Sequence, residues 1–251
     1  MPARFDPAFA WTRRSFLQQG TLALAGVACT ACGGPTSPSP VNSAAPPHTP
    51  TPVIVASGRL DDLQAARDII AWNMNAVGGS SYRALGRICR WEPPIRVHLE
   101  DGPDSPRVRA ALNYWQAEVG IPFSLVASDE LPCVTIRFGT DGLAPWGGGR
   151  GGVNGTYPNN QASSGIVVYE PGGGVFCTAG PDSRGCLLLY RHEIGHVLGI
   201  FENTGIGIMG SDSEVSDRER RMLTALYSLP HGAIVSPDGT WKVLALPSAQ
   251  L

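Results

Sequence analysis

The amino-acid sequence predicts an α+β domain, in which short strands and amphipathic helices follow one another along a single chain. Apolar and polar residues alternate near 95–99 and 134–138, the pattern of half-buried strands. Apolar residues recur every three or four positions near 105–119 and 216–229, as in helices with one buried face. Of the 251 residues, 43% are hydrophobic, which is enough to build a core of ordinary size.

The charge balance argues against a nucleic-acid-binding protein. The chain has 19 Lys and Arg residues against 21 Asp and Glu, a formal net charge of -2, and no run of basic residues. Contacts to a phosphate backbone require such basic residues. The 31 Gly and 22 Pro residues, with only 16% charged residues, are typical of an extracytoplasmic protein with many turns. We therefore expect no nucleic-acid partner.

Residues 1–32 have the features of a bacterial export signal. The segment 13–17 reads Arg-Arg-Ser-Phe-Leu and resembles the twin-arginine motif. The apolar run at 21–31 is too short to span a bilayer as a mature helix and fits the central region of a signal peptide. Cys29 and Cys32 each follow a small residue, which resembles the lipobox where a cysteine is acylated. We expect lipidation at one of them.

Residues 33–57 are predicted to be a spacer. The part up to residue 52 consists mainly of Gly, Pro, Ser, Thr and Ala with almost no charge, and such a segment cannot build a core. A tether of this kind favours lipidation over the alternative, ordinary signal-peptidase cleavage near Ala28 or Ala31. The chain is therefore predicted to be a cell-envelope lipoprotein or a periplasmic or secreted protein. Any membrane contact is expected to pass through the lipid anchor.

The domain itself is predicted to cover 58–251, beginning with a helical extension at 58–93. This helix is predicted to end near Gly78 and Gly79, with apolar residues at helical spacing: Leu60, Leu63, Ala66, Ile69, Ile70 and Met74. It is interpreted either as a lid or prosegment that gates a site, or as a helix packed on the domain. The second interpretation is favoured, because an apolar stripe ordinarily faces a core.

The middle of the domain is predicted to contain a strand at 95–99, a helix and then two more strands. Ser105 is a plausible helix cap and Pro106 suits a first helical turn. The next strands are expected at 122–126 and 134–138. Residues 139–165 are predicted to be a long loop; its Asp141 and Gly/Asn-rich backbone could hold calcium, although a plain loop is favoured. A short apolar strand follows, at Ile166, Val167, Val168 and Tyr169.

The last part of the chain is predicted to hold two helices and one strand. The first helix runs from about Gly185 to Gly199. The second begins after Ser216, whose hydroxyl can cap it, with Glu219 as the reciprocal partner in a capping box. A strand-like run follows at 241–246.

The first of these helices contains the pattern H-E-x-x-H. His192 and His196 are four residues apart and therefore lie on one face of a helix, where two imidazoles can bind one metal ion. Glu193, beside them, can take a proton from water. Gly199 can end the helix in the left-handed conformation, so that Glu202 can turn back toward the metal.

These residues resemble the metzincin clan of zinc peptidases, and within it the matrixin-type catalytic domain, over about 94–230. The resemblance implies a twisted mixed sheet with a long helix behind it, a metal-binding helix beneath it, a methionine turn and a C-terminal helix. It implies one catalytic Zn²⁺ held by His192, His196 and the residue at 202, with Glu193 as the base. Met209, in Gly-Ile-Met-Gly, resembles the Met-turn under the zinc.

Position 202 departs from the family pattern, which usually has His and sometimes Asp there. Glutamate oxygen is an acceptable zinc ligand, so Glu202 is the favoured third ligand. A later carboxylate, Asp212 or Glu214, and the amide of Asn203 remain alternatives.

The resemblance implies that an extended peptide adds to a sheet edge at 166–169, and that the protein is a zinc-dependent endopeptidase acting on extracytoplasmic proteins or peptides. A catalytically weak binding module on the same scaffold and a zinc amidase acting on cell-wall peptides remain alternatives. A monomer is expected.

Four cysteines follow the signal, and an even number in an exported chain predicts two disulfides. Neighbourhood in sequence favours Cys177 with Cys186 and Cys89 with Cys133. Three pairings are possible, and buried thiols are the alternative.

Overall fold

The computed structural model describes residues 53–75, 86–139, 149–156, 161–169, 177, 179–180 and 182–245. The predicted signal, the spacer up to residue 52, Cys29, Cys32 and Asp141 lie outside the described residues. All described residues belong to one compact unit of the chain, Thr49–Leu251. No helix within them is both long and apolar enough to cross a membrane.

The elements follow an α+β order, as the sequence predicts. The strands are β1 (Ile54–Arg59), β2 (Ile95–Leu99), β3 (Phe123–Val126), β4 (Cys133–Phe138), β5 (Gly149–Thr156), β6 (Gln161–Tyr169), β7 (Ile234–Val235) and β8 (Thr240–Leu244). The helices are α1 (Leu63–Ile69), continued by a π-helical turn (Ile70–Met74), then α2 (Ser105–Val119), α3 (Arg184–Leu198) and α4 (Asp217–Ser228), with a 3₁₀ turn (Gly207–Met209) between the last two.

The main sheet has five strands in the order β3-β2-β4-β6-β5. β2, β3, β4 and β6 run parallel, and β5 is antiparallel to β6. The prediction that 166–169 forms a sheet edge is therefore wrong: Ile166, Val167, Val168 and Tyr169 lie in β6, between β4 and β5. The prediction of a long loop at 139–165 is also wrong, because this range contains all of β5 and the first half of β6.

β5 was not predicted from the sequence, and the reason is physical. Its sequence, Gly-Arg-Gly-Gly-Val-Asn-Gly-Thr, has no alternation of apolar and polar side chains, so the period of two that identifies a strand is missing. Pairing with β6, from Gly149 opposite Tyr169 to Thr156 opposite Gln161, holds this segment in the sheet through its backbone. The edge strand nearest the predicted site is therefore a glycine-rich one.

α2 packs against α3 and, through fewer contacts, against α4. Pro106 lies in its first turn, as predicted, but Ser105 does not cap it through its side chain: the Oγ atom donates to Glu100 O at 3.1 Å and accepts from Gly102 N at 3.0 Å. The fully buried Trp115 donates its indole N–H to Arg191 O at 2.8 Å. This bond ties α2 to α3, one residue before His192.

The N-terminal extension is part of the fold and contains more than a helix. β1 pairs with β8, and β8 with β7, in a small antiparallel sheet. Residues 54–57, predicted to be spacer, thus belong to a strand. α1 contacts α4, and the buried Asp68 forms an ion pair with Arg218. The helix is packed on the domain, as the favoured interpretation predicted.

One of the two predicted disulfides is present. Cys177 and Cys186 are bonded, and the bond lies beside the start of α3. The predicted pair Cys89–Cys133 is wrong, since both residues are buried thiols. Cys89 belongs to the main core cluster beside Gly199, whereas Cys133 opens β4. The spacing of the two cysteines in the sequence did not show that they lie in different parts of the fold.

Candidate metal centre

α3 begins and ends where local sequence requires. Ser183 caps it, with the Oγ atom accepting from the Cys186 N–H at 3.3 Å. Gly199 ends the helix with a φ of 118°, a left-handed backbone conformation that residues other than glycine rarely adopt. The predicted helix end at Gly199 is confirmed.

The rings of His192 and His196 lie together on one face of α3, with centroids 4.8 Å apart and planes nearly perpendicular, at 88°. Each ring is held by a backbone carbonyl. His192 Nδ1 lies 2.8 Å from Ile208 O, and His196 Nδ1 lies 2.7 Å from Ile200 O. Because a carbonyl only accepts, Nδ1 must carry the proton in both rings. The Nε2 atoms of the neutral rings therefore keep their lone pairs, which is the arrangement that metal-binding histidines adopt.

His196 is held in its neutral form. Burial, with a smaller contribution from the neighbouring His192, lowers the pKa of His196 to about 4. At neutral pH its ring carries no charge, and the neutral imidazole is the form that binds a metal ion.

Glu193, the predicted base, follows His192 directly. It is buried, with 8% of its surface exposed. Tyr169 is fully buried, and its hydroxyl donates to Tyr190 O at 2.8 Å. The pKa of Tyr169 is raised well above its usual value, first by burial and then by the negative charge of Glu193. Tyr169, predicted to line a substrate edge, thus serves the core under α3.

Met209 packs directly beneath the helix of the histidines, where the sequence predicted a methionine turn. It is fully buried. A Cβ atom on Gly195 would lie only 2.4 Å from Met209 Sδ and 3.1 Å from the Trp115 ring. The sulfur of Met209 thus occupies the space that a side chain would need at Gly195, between the two histidines.

Glu219 holds this turn in place, a role that the sequence analysis missed. The predicted capping box with Ser216 is confirmed: Glu219 Oε2 accepts from Ser216 N and Ser216 Oγ, both at 2.7 Å. The same carboxylate accepts from Met209 N at 2.8 Å and from Ile208 N at 3.3 Å. The S-x-x-E pattern of the capping box was visible in the sequence. The N–H groups of Ile208 and Met209 come from a different turn, and no local pattern predicts that this turn lies beside Glu219.

Glu202 is not grouped with the two histidines. In the described parts of the chain, no three His, Cys, Asp or Glu side chains lie close enough together to hold a metal ion. The neighbouring residue Asn203 interacts with His196 through its side chain, which opposes the decrease in the pKa of that ring. The structure thus brings together the rings of His192 and His196 and leaves the third ligand unassigned.

The later carboxylates are engaged elsewhere. Asp212 forms an ion pair with Arg184, at the opposite end of α3 from Gly199. Glu214 accepts from Tyr114 Oη at 2.7 Å and from Arg191 Nη1 at 3.0 Å, and the Tyr114 hydrogen bond is the main cause that lowers its pKa. These contacts make both residues weaker candidates for a metal ligand.

Neither a model of a known protein family nor a curated protein matches this chain.

Proposed function

We propose that this protein is a zinc-dependent endopeptidase of the metzincin type, exported by the twin-arginine route and acting outside the cytoplasm. One observation carries the proposal. His192 and His196 share one helix face, and a backbone carbonyl holds each Nδ1 at 2.7–2.8 Å, so that each Nε2 atom carries the lone pair with which a neutral imidazole binds a metal. This donor set suits zinc, which prefers imidazole ligands. Glu193 is buried and directly follows His192 in α3.

The order of the elements supports the same proposal. The main sheet has one antiparallel strand at its edge, α2 packs against α3, and α3 is followed by a turn with a buried methionine and by α4. The metzincin resemblance also implies a mixed sheet and a methionine turn between two helices, and this coarse agreement supports the proposal. Shared architecture alone would be weak support, because one fold hosts many functions.

The proposed mechanism assigns a role to each residue of the site. A zinc ion held by His192 and His196 would supply Lewis acidity toward a peptide carbonyl and make a water molecule more acidic. Glu193 accepts the proton of the attacking water and delivers it to the amine nitrogen that leaves. The bond from the water oxygen to the carbonyl carbon forms, and the C–N bond breaks. Ile208 O and Ile200 O keep the two imidazoles oriented throughout.

We assign the substrate edge to β5 instead of the predicted segment 166–169. β5 ends the five-stranded order, and it contacts α3. An extended peptide can add to such an edge through main-chain hydrogen bonds. A glycine-rich edge leaves room for the side chains of the added peptide.

The proposal is tested by replacing one histidine of the site and one outside it. His192→Ala in the full chain is expected to reduce zinc content to background and to abolish cleavage of a random peptide library, because one imidazole cannot hold the ion. His98→Ala is the matched control, since His98 lies on β2 with Nδ1 3.4 Å from Val126 O. It is expected to keep both properties. Metal analysis and mass spectrometry of the library measure the outcome.

Each contrary result selects another function. Zinc lost from His192→Ala without any cleavage by the wild type would favour a binding module on this scaffold. Cleavage confined to cell-wall peptides would favour an amidase. Equal zinc content in the wild type and in His192→Ala would refute the metal centre.

For the third ligand we propose Glu202, because carboxylate oxygen binds zinc well. Glu202→Ala is expected to weaken zinc binding by more than the roughly 10–100-fold that losing an outer-shell partner costs. Asn203→Ala removes the alternative ligand one residue along and is expected to weaken zinc binding less. Competition with a coloured chelator measures both affinities. If Glu202→Ala keeps full zinc content and activity, Glu202 is not a ligand.

A further inference from the structure

The ring of His196 is held by the peptide unit between Ile200 and Phe201. Its carbonyl accepts from His196 Nδ1 at 2.7 Å, and its N–H donates to Trp72 O at 2.8 Å. A peptide unit is planar, and in the trans form its C=O and N–H point in opposite directions. The Trp72 carbonyl, which accepts from the N–H at one edge of this peptide unit, therefore fixes the direction of the C=O at the opposite edge, which holds His196.

Trp72 and Asn73 belong to the π-helical turn of the N-terminal extension. Carbonyls in the last turn of a helix point beyond its end, and Trp72 O uses this position to bind Phe201 N. Single π-helical turns inside helices are frequent at functional sites. Arg218, whose guanidinium lies 4.8 Å from the centre of the Trp72 ring, packs this turn against α4.

Asn73 fastens the same turn to the residue just before that peptide unit. Its side chain is fully buried and makes three hydrogen bonds. Nδ2 donates to Gly199 O at 2.9 Å and to Cys89 O at 2.8 Å, and Oδ1 accepts from Cys89 N at 2.8 Å. The approach is close, because a Cβ atom on Gly199 would lie 3.0 Å from Asn73 Nδ2. Gly199 and Phe201 are thus both held by the extension, one on each side of Ile200.

His192 is held without the extension. Its carbonyl partner, Ile208 O, belongs to the peptide unit whose N–H, on Met209, donates to Glu219 Oε1 at 2.8 Å. The two histidines therefore have the same kind of support from opposite ends of the chain. The difference between them supplies an internal control.

We infer that Asn73 is a positioning residue for His196, and that the helical segment Leu63–Met74 is a permanent part of the metal centre. Asn73 acts through Gly199 and the peptide unit after Ile200, and it contacts neither metal nor substrate. The inference rests on the proposed function only where it concerns zinc. The hydrogen bond of His196 can be measured in the metal-free protein.

The test uses Asn73→Ala and, as a matched control, Asn75→Ala, since Asn75 is an exposed Asn at the end of the same helix. In the metal-free full chain, hydrogen exchange of the two imidazole Nδ1–H protons is followed by NMR. Asn73→Ala is expected to speed exchange at His196 and to leave His192 unchanged. Zinc affinity is then expected to fall by about 10–100-fold, the usual cost of losing an outer-shell partner. A changed Co²⁺ absorption spectrum is expected to accompany that loss.

A second variant covers the case in which Asn73→Ala does not fold. Asn73→Asp keeps an oxygen that accepts from Cys89 N but loses the amide group that binds Gly199 O. It is expected to speed exchange at His196 as Asn73→Ala does. Equal exchange and equal zinc affinity in a folded Asn73 variant and the wild type would overturn the inference. If the wild type binds no zinc, the proposed function fails, and the exchange measurement still decides the role of Asn73.

Discussion

Replacing Glu193 by Gln is expected to lower kcat/KM for peptide cleavage by about 10²–10⁴-fold, the usual contribution of a general base. The amide has nearly the shape of the carboxylate but cannot accept the proton of the attacking water. Because neither His192 nor His196 changes, zinc content is expected to remain that of the wild type. Steady-state cleavage of a peptide substrate, combined with metal analysis of the same sample, measures both quantities.

The matched control for this variant is Glu130→Gln, which changes an exposed carboxylate in the connection between β3 and β4. It is expected to cleave peptides at the wild-type rate. Equal rates for Glu193→Gln and Glu130→Gln would mean that another group accepts the proton. The assignment of Glu193 as base would then be wrong even if zinc is bound.

Replacing Glu219 by Gln is expected to lower the free energy of unfolding by about 2–4 kcal/mol, because each buried donor left without an acceptor costs about 1–3 kcal/mol. Both carboxylate oxygens accept from backbone N–H groups: Oε1 from Met209, and Oε2 from Ser216 and Ile208. Whichever way the new amide is oriented, its NH₂ group faces at least one N–H donor. Urea unfolding followed by circular dichroism measures the difference.

Asp217→Asn is the control for that experiment, because Asp217 lies in the same first turn of α4 with 90% of its side chain exposed. Its ion pair with Arg220 is a surface pair, so the loss is expected to stay within about 1 kcal/mol. If Glu219→Gln loses no more than Asp217→Asn, the carboxylate does not hold the turn of Met209 as described.

The sequence was most informative where local rules decide the structure. The end of α3 at Gly199 and the capping box of Ser216 and Glu219 follow from backbone conformation and from hydrogen bonds between near neighbours, and both were predicted. The position of His192 and His196 on one face follows from helix geometry alone.

Prediction failed where the structure depends on distant partners. β5 is held as a strand by β6 and has no periodicity of its own, so the sheet edge was assigned to the wrong strand. The pairing of Cys89 with Cys133 was predicted from their order in the sequence, which does not determine whether two residues are close in space. The bonds of Trp72 and Asn73 to the turn after α3 join segments that no local pattern connects.

Those same bonds have a consequence for how the site is acquired during folding. Asn73 and Gly199 are 126 residues apart in the chain, and Trp91 Nε1 reaches Val197 O, 106 residues away. A contact between residues so far apart in the sequence requires the closure of a long loop, which costs conformational entropy, and such contacts tend to form late in folding. The imidazole pair exists as soon as one helix forms, whereas its fixed orientation requires nearly the whole chain. The binding free energy of a metal ion at this site would therefore stabilise only the completely folded state.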